Sequence, residues 1–99
     1  MTRATIRMRT ATEGRVEVRG HAGDERICAA ISTALCAALN VLGDAAENVV
    51  YESGDVEFDV RMTDGIQMGA MEMLAETFFS LSEKFPGDVG VTAEGPDGL

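Results

Sequence analysis

Hydrophobic positions along this chain switch period several times, and each switch marks an element. Over residues 3–11, Ala4, Ile6 and Met8 fall on one side and Thr5, Arg7 and Arg9 on the other. That period of two predicts a half-buried strand. Glu13-Gly14 predicts a turn. Val16 and Val18, alternating with Glu17 and Arg19, then predict a second strand that ends near Gly20-His21 and forms a hairpin with the first. Over residues 25–42 the period becomes helical: Ile27, Ile31, Leu35, Ala38 and Leu42 recur, and Ala30, Ala34 and Leu39 widen the stripe. Asp24 is placed to cap this helix, Glu25 suits its positive start, and Gly43 its end. So apolar a helix is expected to pack on more than one side.

Residues 48–52 predict a short strand, Ser53-Gly54-Asp55 a turn, and Val56, Phe58, Val60 and Met62 a strand with one solvated face. Thr63-Asp64-Gly65 opens a second helix, along which Met71, Leu74, Phe78, Leu81 and Phe85 follow a three-four rhythm. Ile66, Ala70 and Met73 form a second apolar line. A methionine-rich stripe of this kind is expected to fill core. Pro86-Gly87 ends the helix, and Val89, Val91 and Ala93 alternate into a last strand. The order is ββαββαβ. The expected fold class is α+β: two layers, a mostly antiparallel or mixed sheet, and two helices. One domain is expected over 1–94, with a flexible C-terminal tail over 95–99.

Composition narrows the classes of function. The chain has 99 residues, an apolar content of 45% and a net charge of -9. Such a charge repels phosphate backbones and anionic lipids, so no direct nucleic-acid or membrane partner is expected, and a basic protein or peptide fits better. No stretch is expected to match the roughly 20 apolar residues of a membrane span, and no signal peptide is read at the N-terminus. Cys28 and Cys36, eight apart on one predicted helix, stand about 12 Å apart, beyond disulfide reach. Two free thiols suit a cytoplasmic location.

The chemistry gathers where the second strand gives way to the first helix, at Gly20–Ser32, which holds the only histidine. If Asp24 is the cap, Cys28 lies in the first turn, where unpaired N–H groups favour a thiolate and can hold a developing oxyanion. His21 precedes it by seven residues, and Gly20 and Gly23 let the chain bend back, so that the imidazole can take the thiol proton and return one to a leaving amine. Ser32 lies one turn beyond Cys28 on the same face. The plainer reading makes His21 a solvated turn residue and Cys28 a small core residue; the His-x6-Cys spacing alone does not decide between them. Free cysteines are usually buried, so Cys36 is expected to be structural. His21, Cys28 and Asp24 do not have zinc-ligand spacing, and neither metal nor cofactor is expected.

At Gly20-His21-Ala22 followed by Cys28-Ala29-Ala30-Ile31-Ser32, the chain resembles the ribosomal-processing cysteine protease family (Prp), which pairs a Gly-His-Ala motif with a Cys-Ala-x-x-Ser motif. The order of elements agrees over nearly the whole chain. The resemblance implies that His21 and Cys28 match the catalytic dyad and Ser32 the motif serine, with Asp24 or Glu25 nearest to the family's acidic position. It implies a cytoplasmic homodimer. It also implies a cysteine endopeptidase that trims a short N-terminal segment of a ribosomal precursor or, in phage relatives, of a capsid precursor. One departure is the connection from His21 to Cys28, which is several residues shorter than the family's Gly-rich loop. That shortening motivates the alternative of a non-catalytic binding or assembly module on the same fold. A thiol-transfer enzyme would want a resolving cysteine closer than Cys36.

Overall fold

The computed structural model describes residues 1–95; most of the tail expected over 95–99 lies outside them. The elements run β1 (Thr2–Met8), β2 (Glu13–Arg19), α1 (Glu25–Leu42), a 3-10 turn (Gly43–Ala45), β3 (Ala46–Glu52), β4 (Asp55–Arg61), α2 (Gly65–Lys84) and β5 (Val89–Glu94). The order is the ββαββαβ read from the sequence. The five strands form one mixed sheet in the order β3-β4-β2-β1-β5. Only β1 and β5 pair in parallel; the other pairs are antiparallel.

Register explains the layers. Ala4 stands opposite Val18, Ile6 opposite Val16, Val16 opposite Phe58 and Val18 opposite Val56, so one face of the sheet is continuously apolar. On that face α1 lays Ile27, Ile31, Leu35, Ala38 and Leu42, and α2 lays Met71, Leu74 and Phe78, all buried. Phe58 and Phe78 are fully enclosed, and truncating either to alanine costs about 3–5 kcal/mol. The opposite sheet face is polar. There Arg15 pairs with Glu17, Glu57 and Asp59, and Arg19 with Glu57. These pairs are partly exposed and serve register and solubility more than stability.

Three local expectations change. Glu13-Gly14 is not the first turn but the start of β2; the turn lies before it, where Thr10 Oγ1 accepts from the N–H groups of Thr12 and Glu13. Gly14 is needed in the strand because a Cβ there would collide with the Met8 sulfur and the Arg7 carbonyl. Next, β3 begins at Ala46 rather than at residue 48. Its register shifts between Glu47 and Val50, and Asn48 takes a φ of 54°, a left-handed value that asparagine tolerates. Finally, the helical segment Glu25–Ala45 is long and apolar enough to cross a membrane, against the expectation that no stretch would be. Ala29, Ala30 and Ala37 on its exposed side raise its apolarity, while its larger side chains pack on the sheet. The apolar line of Ile66 and Met73 on α2 remains exposed, at 75% and 70%.

Candidate active site

The strand–helix junction folds as a short loop tied at both ends. Gly20 takes a φ of 90°, with the Met1 carbonyl against the place where a Cβ would stand. Its N–H donates to the Gly54 carbonyl at 2.9 Å, anchoring the loop to the β3–β4 turn. Gly23 N–H donates to Oδ1 of Asp88, also at 2.9 Å, anchoring it to the α2–β5 turn. Asp24 then caps α1 as expected: its Oδ1 accepts from the Arg26 N–H at 2.8 Å, and its carboxylate pairs with the Arg26 guanidinium. The guanidinium first, and the backbone N–H after it, hold the Asp24 carboxyl below the usual carboxylate range. Asp24 is thus occupied at the helix start and does not line the pocket described next.

His21, Cys28 and Ser32 line one open pocket of about 270 Å³ between α1 and the β3–β4 turn. Val18, Ile31 and Leu35 form its apolar base, while Glu52 and Asp55 bring carboxylates to it; among the described residues no lysine or arginine lines it. The His21 ring is exposed and lies against Gly54, where an added Cβ would stand 2.7 Å from Nε2. Cys28 is half-buried, and its thiol donates to the Ala22 carbonyl at 3.6 Å. No hydrogen bond joins the thiol to His21.

One part of the expected chemistry is corrected. The sequence predicts N–H groups at the start of α1 that are open for an oxyanion. Those of Ile27 and Cys28 both donate to the Asp24 carbonyl at 3.1 Å, and that of Arg26 donates to the Asp24 carboxylate. Capping consumes the donors nearest the thiol. A second correction concerns Cys36. It is exposed rather than structural, and its sulfur lies 3.1 Å from the Tyr51 hydroxyl. The Cys36 hydrogen bond, with burial and the Cys36 charge behind it, raises the Tyr51 phenol above its ordinary pKa, while the Ser32 hydroxyl acts the other way. Tyr51 belongs to the same pocket, and sequence reasoning missed it. Its signal is modest: the sole tyrosine of the chain, on a strand leading into a Ser-Gly-Asp turn.

No family model matches the chain, and no curated protein matches it. Solved structures do. The essential ribosomal processing protease Prp from Staphylococcus aureus, in complex with a covalently linked product peptide, superposes with a TM-score of 0.75 at 16% identity, covering 96% of this chain and 99% of that one. The same protease in complex with a substrate peptide gives 0.73 at 14% identity, covering 95% and 100%. SMU.848 from Streptococcus mutans gives 0.69 at 25% identity, covering 96% and 93%. The class is therefore a two-layer α+β protein with the Prp-type fold along nearly its whole described length.

Proposed function

We propose that this protein is a cysteine endopeptidase of the Prp type that removes a short N-terminal segment from a ribosomal or phage capsid precursor. The carrying observation is the convergence of His21, Cys28 and Ser32 on one open pocket. The fold shared with a protease solved with substrate and product peptides supports it. In this reading the Cys28 side chain turns from the Ala22 carbonyl toward the imidazole when a peptide enters; dyad contacts are often loose without substrate. His21 takes the thiol proton, the sulfur attacks the scissile carbonyl, and His21 returns the proton to the departing amine. Water then cleaves the thioester and releases the enzyme. The carboxylates of the pocket and the net charge of -9 favour a basic substrate. A cytoplasmic setting keeps both thiols reduced, and the exposed Ile66 and Met73 of α2, outside the groove described below, suit a homodimer.

A second reading, a non-catalytic binding module, is favoured by the thiol's bond to Ala22 and by the engaged N–H groups of the helix start. One experiment separates the two. The protein is incubated with candidate ribosomal and capsid precursors, and N-terminal mass loss is followed with Cys28→Ala and His21→Ala variants. A loss that both variants abolish while the fold persists supports the protease. Cleavage surviving Cys28→Ala removes the dyad assignment. If no precursor is cut, and Cys28 alkylation at neutral pH is as fast in His21→Ala as in the parent, the binding module stands.

A further inference from the structure

A second and larger cavity lies at the opposite end of β1 from the candidate active site: Thr2 lines the first, Ile6 and Met8 the second. It is a groove of about 470 Å³ between α2 and the sheet. Four of the chain's six methionines, Met8, Met62, Met68 and Met71, line it. Met62 and Met71 are buried, whereas Met68 is 37% exposed and Phe79, three turns further along α2, 40% exposed. Unbranched, polarizable methionine side chains adapt to varied apolar shapes, and an aromatic ring at a groove mouth offers a large contact area.

The rim of this groove is acidic. Glu72 and Glu76 stand one turn apart on α2, and Glu94 ends β5. Glu94 reaches Arg7 at 3.5 Å. Glu72 and Glu76 have no ion-pair partner among the described residues. Like charges four apart on a helix repel, and a cation bridging them relieves the strain. The charge pattern selects among occupants. A second copy would bring the same net charge of -9, and the segment after Gly95 carries Asp97 and no cation. We propose that this groove docks a basic amphipathic segment of another protein, its apolar side chains against the methionines and its lysines or arginines against Glu72 and Glu76. The site is independent of the proposed cleavage.

The probe is a 14-residue amphipathic peptide of leucine and lysine, with a leucine–glutamate peptide as control. Carbon-13 methyl-methionine NMR follows the full-length protein. The lysine peptide is expected to shift the methyls of Met8, Met62, Met68 and Met71 and to leave those of Met1 and Met73 in place. The double variant Glu72→Lys/Glu76→Lys, at exposed positions, is expected to weaken binding at least tenfold. Ala75→Trp, which fills the groove, should abolish the shifts. Four results would each overturn the proposal: no shift, shifts centred on Met73, equal binding of the glutamate peptide, or groove shifts that appear with protein concentration alone and mark self-association.

Discussion

The imidazole of His21 rests on Gly54, where a Cβ would stand 2.7 Å from Nε2 and push the exposed ring aside. The same glycine adopts a φ of 78° and accepts, through its carbonyl, the Gly20 N–H. The β3–β4 turn therefore holds the backbone just before the histidine and also floors its ring.

Gly54→Ala should lower stability by about 1–2 kcal/mol through the left-handed backbone alone. It should also displace the His21 ring. On the proposed mechanism, cleavage falls at least tenfold in protein that is still folded. Thermal melts and kcat/KM measured on the same samples check this. Cleavage that tracks only the folded fraction would mean that His21 does not depend on the turn.

The fold and its junction are legible in the sequence to different depths. The α1 stripe is plain because Ile27, Ile31, Leu35, Ala38 and Leu42 repeat once per turn and are buried together. Asp24 is plain because a cap acts on its own neighbours. The start of β3 is not, because its side chains are exposed apart from the half-buried Ala46 and leave no alternation to read. Gly54 reads as a turn residue, but its contact with His21 crosses from one hairpin to another. Asp88 and Tyr51 are invisible for the same reason: what they do is set by tertiary neighbours.

Asp88→Ala should free the loop between His21 and Cys28. Its Oδ1 holds the Gly23 N–H at 2.9 Å, and one such hydrogen bond is worth about 1 kcal/mol. Amide exchange at Gly23 should quicken while the exchange of α1 stays slow. Asp88→Asn keeps an acceptor and should restore the parent pattern. Equal protection of Gly23 in all three proteins would show that the tether carries no weight.

Cys36 should be alkylated in the native protein, being exposed. Tyr51→Phe removes its hydroxyl partner at 3.1 Å, and the alkylation rate of Cys36 should then change severalfold. Cys36→Ala should leave precursor cleavage within about twofold, since the proposed step uses Cys28. Peptide mapping of the alkylated sites gives the first result and the cleavage assay the second. Loss of cleavage in Cys36→Ala would move the nucleophile.

Asp55 contributes a pH-dependent stability opposite in sign to that of its neighbour Glu57. Hydrogen bonding to Glu57 raises the Asp55 pKa above its ordinary 3.8, with burial and the Glu57 charge adding to it, while Glu57 itself is lowered. A carboxyl whose pKa rises on folding favours the folded state at acid pH and costs stability as pH climbs through the folded value. Asp55→Asn, which mimics the protonated group, should therefore raise the melting temperature at pH 7 and leave it unchanged near pH 3. Equal shifts at both pH values would remove the proton-sharing pair.

The parallel pairing of β1 with β5 has a consequence for how the protein is made. Asp88 accepts the Thr2 N–H through its backbone carbonyl and the Gly23 N–H through its side chain. It thus closes one loop back to the first strand and another back to the junction. Contacts so distant along the chain form late. During synthesis, the segment carrying His21 and Cys28 leaves the ribosome long before the residue that clamps it. A nascent chain halted before residue 88 therefore carries both side chains without the clamp on the loop between them.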